Sequence, residues 1–308
     1  RSLPAASSVK KVAVIGAGPG GIHAAIIAAH RGHKVTLYEK NDRVGGMLIP
    51  GSQPKIKYEV KNYLTYLENQ LESCSKKYDL KLELNASVTP ESLKGKFDTI
   101  IVGIGGTPVT PKLPGIGQAN VVQAVDLFCK PELAANAKSV VIVGAGAVGC
   151  EAAHFLAFEY GKKVTVIEML PTIMPGVCTA NRGHLIHLLE ALGVPLWNCT
   201  RLISIDGNKV NVKRNLSKTV PSPYVTWTPL LPENISNPFA KAIVDESVDQ
   251  TIEADLVVLA MGLRPVRDLY EGCVKAQSAP EIIQLGDAFQ IGRVFEAVKA
   301  GFLVGKNL

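Results

Sequence analysis

Short unbroken apolar runs, rich in β-branched residues, recur along the chain at 12–15, 100–102, 140–143 and 256–259. A strand buried on both faces of a sheet reads this way. Behind the first run come a glycine-rich turn at 16–21 and an Ala-rich stretch at 22–30 whose apolar spacing suits a helix. Gly32 stops that helix, and a second apolar strand follows at 35–38. Residues 140–167 repeat the order: strand 140–143, turn 144–149, a helix to about Tyr160, Gly161, and a strand at 164–167. Parallel strands joined through a helix form a βαβ unit. The pattern therefore predicts an α/β chain with two such units.

The repetition extends further. FDTIIVGIGGTPV at 97–109 and ADLVVLAMGLRPV at 254–266 each read as a buried strand, a glycine and a proline-containing exit. Between the two units, 58–71 predicts a helix and 81–84 a short strand. DGNKV at 206–210 is a hairpin signal. Residues 205–253 predict a meander with a long Pro- and Ser-rich surface excursion over 217–237. The last segment predicts a strand, a Gly-Asp turn and a helix from about Val294.

The two turns carry chemistry. Gly16-Ala17-Gly18-Pro19-Gly20-Gly21 fits G-x-G-x-x-G. Its first glycine permits the tight turn, the second lets backbone approach a pyrophosphate, and the third lets the helix pack on the strand. The helix N-terminus then offers N–H donors to the phosphates. Glu39 ends the next strand, 23 positions after Gly16, where its carboxylate reaches ribose hydroxyls; Lys40 follows it. The second turn, Gly144-Ala145-Gly146-Ala147-Val148-Gly149, is answered by Glu168, 24 positions after Gly144. A carboxylate there accepts from a free 2′-hydroxyl and repels a 2′-phosphate, and no arginine stands in EMLPTIMPG. That favours NADH over NADPH. Asp287, after Gly286, stands just before the last helix, where it holds a polyol hydroxyl or caps the helix.

Composition narrows the remaining classes. The net charge of +6 comes with lysines in scattered pairs, and aromatics are 6% of residues, so no nucleic-acid face is expected. The six cysteines contain no CxxC pair, which argues against zinc, an iron–sulfur cluster or a dithiol centre in this chain, and for a reducing cytoplasm. No apolar run approaches membrane-spanning length, so no membrane partner is expected. RSLPAASSVKK at the start reads as a linker at a cut end, so the chain is expected to be part of something longer. The six histidines read as packing or surface residues, and no residue is assigned a catalytic or metal-binding role.

The order of these motifs resembles the two-dinucleotide-binding flavoprotein superfamily typified by glutathione reductase. VGGMLIPG, VVIVGAGAVGCEAAHFLA, VTVIEMLPTIMP and RVFEAVKAGFLVG narrow the resemblance. They look like the C-terminal FAD/NAD(P)-binding half of the enoate reductase, 2,4-dienoyl-CoA reductase and trimethylamine dehydrogenase family. The resemblance implies two Rossmann-like domains, the second inserted in the first. Residues 1–10 would be a linker, 11–115 with 262–308 an FAD domain, and 116–261 an NAD(H) domain. It implies an upstream FMN and 4Fe-4S barrel domain of the same polypeptide, or an electron-carrier protein, as the partner that takes the electrons. It places Gly16, Gly18, Pro19, Gly20, Gly21, Glu39 and Lys40 on the FAD pyrophosphate and ribose. Gly46 and Met47 would lie near the flavin, Val88 at the adenine, Gly103 at the domain crossing, and Gly286 and Asp287 at the ribityl chain. Gly144, Gly146, Val148, Gly149 and Glu168 would hold NADH, with Glu151 near the nicotinamide. One family member holds ADP where its relatives hold FAD, so ADP is an alternative occupant. Gly103-Ile104-Gly105 departs from the Ala-Thr-Gly usual at the first crossing.

Overall fold

The structure, a computed structural model, describes residues 3–226, 235, 238 and 241–308. The expected excursion over 217–237 thus runs into residues 227–234, 236 and 237, which lie outside the described residues. In chain order the main elements are β1 (Lys11–Ile15), α1 (Pro19–His30), β2 (Lys34–Tyr38), α2 (Tyr58–Lys77), β3 (Leu80–Glu83) and β4 (Thr99–Val102). There follow β5 (Val121–Gln123), β6 (Ser139–Val143), α3 (Ala147–His154), β7 (Lys163–Ile167), α4 (Thr179–Ala191), β8 (Leu196–Trp197) and β9 (Thr200–Asp206). The chain ends with β10 (Lys209–Asn215), β11 (Ser247–Glu253), β12 (Leu256–Leu259), α5 (Asp268–Ala276), β13 (Glu281–Gln284) and α6 (Val294–Asn307).

The chain divides into two compact units. Arg1–Thr107 with Leu263–Leu308 forms one, and Pro108–Gly262 the other. The first unit is built on a five-stranded parallel sheet in the order β13-β4-β1-β2-β3. The second has a five-stranded parallel sheet in the order β5-β12-β6-β7-β8. A three-stranded antiparallel meander, β9-β10-β11, is added to the second unit. The central strands β1, β4, β6 and β12 are buried at four or more consecutive positions, which is why their sequences are continuously apolar and not alternating.

Several boundaries differ from the sequence reading. Helix α1 begins at Pro19, inside the expected turn, because proline suits the first helical turn. Helix α2 runs on to Lys77: Cys74 continues the buried Leu67–Leu71 stripe, and Glu72 pairs with Lys76 on the outer face. The helix expected to reach Tyr160 is α-helical only to His154. It continues as one π-helical turn, Phe155–Glu159, that carries Phe158 outward. His33 and His154 are buried; His33 Nδ1 accepts from the Lys10 N–H at 3.1 Å.

Candidate dinucleotide-binding sites

All five strands of each main sheet are parallel, so their carboxyl ends share one edge. In the first unit Ile15 lies beside Tyr38 and Val102, and Val102 beside Gln284. The segments leaving these residues are Gly16 onward, Glu39 onward, Gly103 onward and Gly286-Asp287. One edge therefore gathers most of the residues expected at the flavin. In the second unit Val143 lies beside Ile167 and Leu259, which brings Gly144, Glu168 and Ala260 to one edge. Ligands bind at this carboxyl edge in open α/β sheets.

The two turns match bond for bond. Gly16 takes φ +98° and Gly144 φ +102°, a left-handed conformation that favours glycine. Gly16 N–H donates to Tyr38 O at 2.8 Å, and Gly144 N–H to Ile167 O at 2.9 Å. Glu39 Oε2 accepts from Ala17 N–H at 2.8 Å, and Glu168 Oε2 from Ala145 N–H at 2.7 Å. The other carboxylate oxygen also takes a bond in each: Glu39 Oε1 from Asn41, and Glu168 Oε1 from Leu170 N–H at 2.9 Å. Six residues past each glutamate a backbone N–H closes on the turn. Gly45 N–H reaches Ala17 O, and Met174 N–H reaches Ala145 O, both at 2.8 Å. The matching extends to the opposite edge, where Asp98 Oδ2 accepts from Lys11 N–H and Asp255 Oδ2 from Ser139 N–H.

The glycines divide by what a side chain would meet. A Cβ on Gly21 would stand 1.9 Å from Gly16 O, and one on Gly149 1.9 Å from Gly144 O. On Gly16 it would stand 2.4 Å from Gly103 O. At Gly18 and Gly146 it would meet nothing within 4 Å. Each turn thus bares its backbone at one position, beside the first-turn N–H groups of a helix that lack intrahelical acceptors. That is the shape a pyrophosphate needs. Both glutamates are buried yet keep acceptor capacity, since Oε2 of each accepts one N–H and has room for a second donor. The residues present therefore fit a dinucleotide in each unit.

The remaining expected residues fall as follows. Gly46, at φ +53°, closes on the first turn, with its Cβ position 3.0 Å from Gly18 Cα. Gly20 presses against Leu285 and Ala297. Pro19 opens α1, Met47 and Lys40 are exposed near this edge, and Val88 packs against the same core cluster as Tyr38. Val148 and Glu151 lie in α3, Val148 exposed and Glu151 half-buried. Asp287 does not cap the last helix, which starts seven residues later behind Arg293. Its Oδ1 instead accepts from Gly292 N–H at 2.9 Å, tying the intervening loop. Burial pushes its carboxyl above the usual range, and the Gly292 bond opposes that. The sequence reading missed Asn41, the Met174 closure and the Asp98 and Asp255 clamps. Only the aspartates left a signal, each standing just before a buried strand.

A family model for the pyridine nucleotide-disulphide oxidoreductases matches residues 10–284. The chain belongs to that family. Membership implies sites for FAD and NAD(P)H. An NADH oxidase of Thermoanaerobacter brockii is 32% identical over 300 residues, covering 96% of this chain and 40% of the relative. A cinnamate reductase of Clostridium sporogenes is 29% identical, covering 99% of this chain and 40% of the relative. Among solved structures, a 2-naphthoyl-CoA reductase superposes with a TM-score of 0.80 at 28% identity, covering 99% of this chain and 41% of that one. A thioredoxin reductase of T. acidophilum shares the fold, with a TM-score of 0.67 at 18% identity. The chain spans about two-fifths of the curated relatives named here. Its similarity to reductases of this kind agrees with the enoate reductase-like resemblance. No disulphide is formed among the described residues. Burial pushes the Cys74 thiol up to about 11 and Cys150 up to about 12, so both are neutral thiols near pH 7.

No helix among the described residues is long and apolar enough to cross a membrane.

Proposed function

We propose that the first unit seats FAD and the second NADH. The chain would then pass reducing equivalents from NADH through FAD to an iron–sulfur and FMN-containing reductase domain of the enoate reductase kind. When bound, the two coenzymes supply the hydride chemistry, so the protein need provide no acid or base for that step. Its residues bind and orient. The N–H groups at the start of α1 and α3 hold the pyrophosphates, and Glu39 and Glu168 accept from the adenosine riboses. Asp287 accepts from a ribityl hydroxyl, Val88 lies against the adenine, and Gly46 and Met47 lie by the flavin. Gly103 and Gly286 let the chain turn away at the same edge, Lys40 faces the phosphates, and Glu151 lies by the nicotinamide. Glu168 would disfavour NADPH, because a 2′-phosphate meets a carboxylate already fixed by two backbone N–H groups.

The observation that carries this reading is the second glutamate-held turn, built to the same bonds as the first. A degenerate copy kept only for packing has no need to hold a buried carboxylate at its mouth. The test is spectroscopic. Protein reconstituted with FAD should lose its visible flavin band when NADH is added without oxygen. Glu168→Ala should weaken NADH binding about tenfold or more, as expected for a hydrogen bond to a charged group, and narrow the preference over NADPH. Protein that takes up no flavin, or a variant with its preference intact, rejects the assignment.

A further inference from the structure

Among the described residues Arg182 is the one buried arginine, with 4% of its surface exposed. It stands in the first turn of α4, and its side chain makes one hydrogen bond to a described residue, from Nε to Ile173 O at 2.8 Å. No carboxylate of a described residue pairs with it. That is an expensive arrangement, because a buried charge needs a partner of opposite sign.

Its neighbourhood is the second turn. Ile173 precedes Met174, whose N–H closes on Ala145 O. Cys150 Sγ donates to the same oxygen at 3.7 Å. Cys150 is the ionisable group that acts on Arg182, but burial keeps it a neutral thiol. The guanidinium is thus held on the loop that closes on the turn, through Ile173 O beside the Met174 N–H that reaches Ala145 O. A helix N-terminus carries partial positive charge of its own. Glu168 is already engaged by Ala145 N–H on the ribose side of the turn, so the two positive sources are left to act on a ligand anion at the phosphate side.

We propose that Arg182 is a positioning residue for the dinucleotide of the second unit, supplying the buried positive charge against which its pyrophosphate binds. This rests on the reading of that unit as a pyridine-nucleotide site. The charge acts through the turn: it is itself buried, so it is weakly screened as it raises the potential at Gly146. The loop 169–176 is thereby tied at both ends of its function, Leu170 to the ribose-binding Glu168 and Ile173 to the phosphate charge.

The experiment compares the full chain with Arg182→Gln and Arg182→Lys, titrated calorimetrically with ADP-ribose and with adenosine. Glutamine keeps a neutral donor for Ile173 O, whereas lysine keeps the charge. The wild-type chain should bind ADP-ribose more tightly than adenosine. Arg182→Gln should weaken ADP-ribose about tenfold or more and leave adenosine within about twofold, and Arg182→Lys should retain most of the difference. Equal loss of both ligands in either variant would make Arg182 a structural tie and overturn the proposal. So would unchanged binding of ADP-ribose by Arg182→Gln. If glutamine prevents folding, the lysine variant decides, since a structural tie lost with Nε would weaken both ligands alike. A wild-type chain that binds neither ligand would reject the site itself, a result distinct from any effect of the variants.

Discussion

Gly18 and Gly21 stand in one turn, yet substitution should separate them. At Gly21 an added Cβ meets Gly16 O at 1.9 Å, backbone against backbone, with no flexible side chain to yield. At Gly18 the space is open. Gly21→Ala should therefore destabilise the fold by about 1–3 kcal/mol or more, the usual cost of overpacking. Gly18→Ala should leave the melting temperature nearly unchanged but place a methyl where the pyrophosphate approaches, weakening FAD binding. Thermal melts of the two variants beside flavin titrations check this. A Gly18→Ala protein that melts early, or binds flavin normally, would show that the open face is not the ligand face. The same logic assigns Gly149 to structure and Gly146 to the ligand in the second unit.

At the scale of elements, the first unit is closed by two helices from opposite ends of the chain. Gly301 of α6 lies so close to α1 that a Cβ would stand 2.1 Å from Gly20 O, and one on Gly305 2.7 Å from Ala24 O. Close helix approach of this kind needs glycine on the contact face. Gly301→Ala should force the pair apart, lower the melting temperature by several degrees, and displace Gly20 and with it the first turn. Flavin binding should fall together with stability, unlike the Gly18 variant. Calorimetric melts with and without FAD distinguish the two behaviours. This contact also marks where sequence reading stops. The strands and the two turns were legible because burial on both faces and a left-handed glycine each leave a local signature. The pairing of Gly20 with Gly301 left none, since a contact across 281 positions has no period. The position of Asp287 was half legible: its place at the sheet edge followed from the strand before it. Its tie to Gly292 did not, because the loop that delays the last helix carries no periodic pattern. Met174 was illegible for the opposite reason. It takes a left-handed φ of +48° while fully buried, so tertiary packing overrides local preference.

At the scale of the whole molecule, the apolar cores sort by unit. Two core clusters draw only on residues from 113 to 261. The other two draw only on residues from 12 to 104 and 269 to 308. The second unit is continuous in sequence, with its parallel sheet, meander and glutamate-held turn all between Pro108 and Gly262. A piece of about 155 residues with its own core is of ordinary domain size. Residues 108–262 expressed alone should therefore fold cooperatively and bind NADH. The first unit is interrupted, and truncation after Gly262 removes the edge strand β13 and the helix that packs on α1. That truncated chain should lose FAD binding and the stability of its first sheet while keeping NADH binding. Circular-dichroism melts and NADH titrations of both shortened chains check the pair of expectations. If the 108–262 piece stays unfolded, its core depends on contacts beyond its own residues, and the two turns are then parts of one cooperative body and not separable modules.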